Sequence, residues 1–199
     1  MWADDIVRLC DALGIDHPIV IGESFGGFVA QRYLARHPDH PRKVVPACTA
    51  PRFDIDVVAA AFERRGGDAA RDAAATSGHL ARRRSFPTSS TACPSTALSP
   101  AIRTCCPRTI INFEVMSHFL TGEHRTMNLA PGLSAARCPV LVLAGELDPV
   151  CPIDMSDEIV AALVNADVTD KRIPNASHDD VGPRGIATIR SFITASAAR

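Results

Sequence analysis

Gly22-Glu23-Ser24-Phe25-Gly26 fits the pattern G-x-S-x-G. A serine hydroxyl is a weak nucleophile until a base takes its proton and a carboxylate orients that base. Asp148, in Gly145-Glu146-Leu147-Asp148-Pro149, and His178, in Asn175-Ala176-Ser177-His178, are residues of those two types. Ser24, Asp148 and His178 are therefore the candidate nucleophile, orienting carboxylate and base for acyl transfer. The glycines suit a sharp, strained turn in which neighbouring backbones crowd. The Phe25 N–H, at the start of a helix, is placed to donate to a developing oxyanion. Each residue also has a plainer reading. Ser24 would cap a helix in a glycine-rich strand–helix turn, Asp148 would cap a turn, and His178 would be a solvated loop histidine.

The elements around these residues decide how much the pattern means. Apolar residues Ile6, Val7, Leu9, Cys10 and Leu13 follow helical spacing over residues 4–13, with Asp4 and Asp5 at the positive end and Gly14 as the cap. Residues 18–21 read as a buried strand leading straight into Gly22. Phe25, Phe28, Val29 and Tyr33 share one face of the next helix, which Pro38 stops. Residues 43–45 begin another strand, which Pro46 is expected to cut short. Regular alternation resumes with a strand over 139–144, a helix over 155–163, a strand over 168–173, and a last helix carrying Ile186, Ile189, Phe192 and Ile193. Alternating strands and helices predict an α/β fold with a mostly parallel sheet covered by helices on both faces. Asp148 and His178 then follow successive strands, at the carboxyl edge where open α/β sheets bind ligands.

The chain has 199 residues, a hydrophobic fraction of 46%, a charged fraction of 22% and a formal net charge of -1. That is ordinary for a globular domain with one core, and it argues against nucleic acid or anionic lipid as a partner. No apolar run approaches the roughly 18 residues of a membrane span. The start, Met1-Trp2-Ala3-Asp4-Asp5, lacks the basic-then-apolar pattern of a secretory signal, so a cytoplasmic location is expected. Cys10, Cys48, Cys93, Cys105, Cys106, Cys138 and Cys151 are odd in number and form no C-x-x-C pair. Free thiols, without a metal site, are expected.

Residues 51–131 are less regular, with helical stretches at 55–62 and 110–120. Between Ala73 and Phe113 there is no Asp or Glu, and residues 81–108 are crowded with Ser, Thr, Pro, Arg and Cys. Such a stretch buries little surface and is expected to be irregular. It is read either as an insertion in a lid or as a short out-of-frame translation between two compensating frame changes. Resequencing of the gene separates the two.

Three segments carry a family resemblance: I-V-I-G-E-S-F-G-G-F-V-A-Q-R-Y-L-A-R-H-P, P-V-L-V-L-A-G-E-L-D-P-V-C-P and N-A-S-H. They resemble the α/β-hydrolase superfamily, from the helix before the elbow through to the last helix. Within it they are similar to small lid-bearing esterases, proline-iminopeptidase-like enzymes, C–C bond hydrolases and cofactor-free haloperoxidase-like proteins. The order Ser24, Asp148, His178 is the order of that superfamily. The resemblance implies a Ser24–His178–Asp148 triad and a small-molecule acyl substrate, with no metal or organic cofactor. It also implies a core of residues 1–50 and 132–199 with a helical cap at 51–131. A serine at the elbow argues against the dehalogenase and epoxide-hydrolase branches.

The chain departs from that pattern in its N-terminal part. Pro18 leaves 17 residues before the elbow strand, too few for the strands that the family places there. A partial, N-terminally truncated hydrolase fold is expected, with the elbow strand as a sheet edge. No H-G-x-P or H-G-G-G occurs to supply a second oxyanion donor, a loss that costs about a hundred- to a thousandfold in rate. Three readings follow: a serine hydrolase, a catalytically impaired remnant acting as an interaction protein, and a homodimer paired through the exposed edge strand. Among weaker candidates, Glu23, Glu114 and Glu146 could hold a substrate amine or be plain surface carboxylates. His118 and His124 have no metal spacing. Arg82, Arg83 and Arg84 read as a solvated charge run, and Asp179 and Asp180 could tune His178.

Overall fold

The computed structural model describes residues 2–83, 122 and 125–195, with the backbone alone at 73 and 75–83. In chain order these form α1 (Trp2–Leu13), β1 (Ile19–Glu23), α2 (Phe25–Arg36), β2 (Lys43–Ala47), α3 (Ile55–Arg83), a short α4 (Ala130–Leu133), β3 (Val140–Gly145), α5 (Ile153–Ala162), β4 (Val168–Ile173), a 3₁₀ turn (His178–Asp180) and α6 (Val181–Thr194). The strands form one parallel sheet in the order β1-β2-β3-β4. This is the expected parallel sheet of an α/β fold.

Period-two alternation explains the layering. Val44, Val140 and Val142 point to one face, where Ala30 and Leu34 of α2, Leu133 of α4 and Ile159 of α5 cover them. Val45, Ala47, Leu141 and Leu143 point to the other face, under Val181 and Ile189 of α6. The two middle strands are buried along their whole length. α1 ends as its sequence suggests: Gly14 takes φ +64°, and the Ile15 N–H reaches back to the Cys10 carbonyl at 2.9 Å.

Pro46 does not shorten β2. It lies inside the strand, opposite Gly22 of β1. The N–H groups two residues to either side, on Val44 and Cys48, donate toward the β3 side, to Pro139 (3.2 Å) and Leu143 (2.8 Å). The missing proline N–H therefore faces β3, and the β2–β3 ladder keeps the pairs Val44↔Val140 and Ala47↔Leu143 with a gap between them. One rung is lost, about 0.5–1.5 kcal/mol net, and burial of the strand outweighs it.

The two sheet edges differ. β4 carries Thr169, Asp170, Lys171 and Arg172, the charged dress of a protected edge. β1 is apolar from Ile19 to Ile21, and Ile21 is 49% exposed. The chain leaves the core at Arg52 and returns at Asn128, which pair as an isolated antiparallel bridge, and the Leu129 N–H donates to Pro51 (2.8 Å). α3 breaks at Gly67 (φ +68°) and stays helical through Arg83, so the stretch expected to be irregular from residue 81 begins as helix. Residues 84–108, and the helix expected at 110–120, lie outside the described residues.

Candidate active site

Ser24 links β1 directly to α2 at φ +51° and ψ −115°. A non-glycine residue in that region costs about 1–3 kcal/mol unless its surroundings impose it. Here they do. The Ser24 N–H donates to Ala47 of β2 at 2.9 Å, and its carbonyl accepts the Gly27 N–H at 2.9 Å. A Cβ on Gly22 would lie 2.2 Å from the Gly26 carbonyl oxygen, and one on Gly27 would lie 2.4 Å from the Thr49 Cβ. A Cβ on Gly26 meets nothing within 4 Å. The steric demand thus falls on Gly22 and Gly27, while Gly26 contributes the backbone that crowds Gly22. Phe25 opens α2, so its amide belongs to the positive end of that helix.

Asp148 follows β3 in a tight loop and its side chain is fully buried. Its Oδ1 accepts the N–H groups of Val150 (2.8 Å) and Cys151 (2.9 Å), which leaves Oδ2 for His178 Nδ1 at 2.8 Å. His178 Nε2 meets Ser24 Oγ at 2.9 Å. The three side chains singled out in the sequence are thus brought into one hydrogen-bonded line across 154 residues of sequence separation.

His178 sits on the 3₁₀ turn, whose N-cap Ser177 and Asp180 close a reciprocal capping box. Burial pushes the imidazole toward the neutral form. The hydrogen bond and charge of Asp148, with the charges of Asp179 and Glu23, outweigh it and hold the His178 pKa above its usual value. The two neighbouring aspartates act differently. Asp180 is turned to Ser177, whose side chain and N–H hold its carboxyl below the usual range.

Two residues near this line carried no signal in the sequence. Cys48, directly after β2, has its thiol pushed up to about 12, chiefly by burial, and Cys151 is also raised, by burial and by Asp148. Both stay protonated, like small apolar groups. Asp148, Cys151 and His178 offer ligand atoms within 4.8 Å of one another. Those carboxylate oxygens and His178 Nδ1 are already committed to the bonds above. Cys10, Cys48, Cys138 and Cys151 are free thiols.

Of the weaker candidates, Glu146 accepts the Asn175 N–H at 3.4 Å and braces a loop. Glu23 lies beside the site, within reach of the Cys48 thiol at 3.8 Å. Glu114, His118, His124 and the side chains of Arg82, Arg83 and Arg84 lie outside the described residues. Arg65 of α3 donates to the Leu147 carbonyl, next to Asp148. Among the described residues, no helix is long and apolar enough to cross a membrane.

The fold recurs in solved structures. The fold resembles an alpha/beta fold family hydrolase from Bacillus anthracis, with a TM-score of 0.63 and 16% identity, covering 96% of this chain and 71% of that one. It equally resembles a thermophilic esterase from Thermogutta terrifontis, with a TM-score of 0.63 and 21% identity, covering 96% and 70%. A homoserine O-acetyltransferase from Haloarcula marismortui is 41% identical over 54 residues, 27% of this chain. The match spans 13% of that protein's length. The sequence model of the alpha/beta hydrolase fold matches residues 1–182, and the chain belongs to that family.

Proposed function

We propose that this chain is a serine hydrolase that cleaves small ester, amide or related acyl compounds through an acyl-enzyme. One observation carries the reading: the unbroken line from Ser24 Oγ to His178 Nε2 (2.9 Å) and from His178 Nδ1 to Asp148 Oδ2 (2.8 Å). Ser24 attacks the acyl carbon as His178 takes its proton, and Asp148 holds the imidazole in the required tautomer and stabilises the imidazolium. Negative charge on the tetrahedral oxygen develops toward the Phe25 N–H and the positive end of α2. The leaving group takes the proton from His178. Water, deprotonated by the same imidazole, then releases the acid. The reaction needs no metal or organic cofactor. The excursion between Arg52 and Asn128 supports a cap over the site, spanning residues 51–131. The free thiols support a reducing, cytoplasmic setting.

The test is labelling with a fluorophosphonate probe, beside Ser24→Ala and His178→Ala. Labelling of the native chain that both substitutions abolish supports the reading. A second reading, an interaction protein without turnover, is favoured by the apolar β1 edge. A folded native chain that takes no label would favour it.

A further inference from the structure

Glu23 is the last residue of the elbow strand, directly before the nucleophile, yet its carboxylate lies against a different element. A Cβ built on Gly182 would be 2.5 Å from Glu23 Oε1 and 3.0 Å from Oε2. The carboxylate therefore rests on the bare backbone of the first turn of α6, the helix that follows His178 without a break. A carboxylate is favoured at that position, because the first turn of a helix carries partial positive charge. Gly182 is followed by Pro183, a residue tolerated in a first turn because the N–H there has no intrahelical partner. The first turn of α6 thus carries, at its second position, the residue that leaves room for Glu23.

We propose that Glu23 is a positioning residue for His178, its carboxylate seated on Gly182 so that the strand leading to Ser24 and the segment carrying His178 hold one another at a fixed separation. This rests on the serine hydrolase reading above and adds a fourth residue to it. The charge matters as well as the seat, since Glu23 is one of the groups that favour the protonated imidazole. The others facing His178 are Asp148, from the loop after β3, and Asp179, beside it on the turn. Asp180 is engaged with Ser177 and Arg184, and Cys48 and Cys151 remain neutral thiols.

The test uses Glu23→Gln, Glu23→Asp and Gly182→Ala in the full chain, with two readouts. The first is the titration of His178 followed by NMR in ¹⁵N-histidine-labelled protein. The second is kcat and KM on a short acyl ester across pH. Glu23→Gln is expected to move the His178 midpoint to lower pH and to lower kcat about three- to tenfold, with KM held within about twofold. Glu23→Asp keeps the charge but withdraws from Gly182, so the midpoint returns toward native while kcat stays reduced. Gly182→Ala, which forces the carboxylate aside, lowers kcat with Glu23 intact. A Glu23→Gln chain with the native midpoint and native kcat overturns the proposal. The NMR titration decides the coupling even if no variant, the native chain included, turns over ester. The failure of the hydrolase reading is thereby kept apart from the failure of this one.

Discussion

The Leu147 N–H donates to the Ala176 carbonyl at 2.9 Å, tying the loop that holds Asp148 to the loop that leads to His178. A Cβ on Gly145 would lie 2.5 Å from the same carbonyl oxygen, so this close approach requires glycine at the end of β3. The Glu146 N–H adds a second tie to Ile173 at 3.2 Å. Base and carboxylate are thus set relative to each other by backbone hydrogen bonds, before either side chain is considered.

Asp148→Asn should separate charge from position. The amide oxygen can still accept from Val150 and Cys151, so unfolding by denaturant should change little. The tautomer and charge at His178 are lost, and kcat should fall on the order of 10⁴-fold on a short acyl ester. Asp148→Ala should in addition destabilise the chain by roughly 1–3 kcal/mol, because two buried loop N–H groups lose their acceptor.

The raised His178 pKa sets the pH dependence of the proposed reaction. The neutral imidazole is the base, so the acid limb of kcat/KM should lie above pH 6.5, the ordinary histidine value. Stability runs the opposite way. A histidine whose folded-state pKa is raised contributes stability that is full below the unfolded value and is lost as pH rises through the folded value. A pH–rate profile with its acid limb below 6.5 would contradict the first expectation, and chemical unfolding across the same range checks the second.

The elbow glycines should not be equivalent. Gly22→Ala meets backbone at 2.2 Å and Gly27→Ala meets Thr49 at 2.4 Å, so each should destabilise by roughly 1–3 kcal/mol and lower labelling of Ser24. Gly26→Ala meets nothing and replaces glycine in a helix, so it should be neutral or stabilising by up to about 1 kcal/mol. Thermal and denaturant unfolding of the three single variants ranks them directly.

The apolar β1 edge should make the chain associate. Light scattering after size exclusion should show a concentration-dependent dimer, and Ile21→Lys should shift it to monomer, since a charge on an open edge opposes strand pairing. A native chain that stays monomeric at high concentration removes the homodimer reading.

Much of this protein is legible along the chain because the controlling forces there are local. Strand-then-glycine-then-helix around Ser24 follows from backbone sterics within a few residues, and the 3.6-residue period picks out Phe28, Tyr33 and Ile189 as buried on α2 and α6, though Phe25 and Ile186, on the same expected faces, are exposed. The order Ser24, Asp148, His178, each after a strand, is also a property of the string. What tertiary structure alone decided involves partners far apart in sequence. Pro46 stays in β2 because its missing donor costs one rung in a strand buried on both faces, and that depends on which neighbour the donor would have met. Gly27 rather than Gly26 is sterically required because Thr49, 22 residues later, packs on it. The Glu23–Gly182 contact and the line from Ser24 to Asp148 depend on the sheet order, which sets the strand ends side by side. No local pattern encodes that order, because it is the sum of many weak burial and pairing energies over the whole fold.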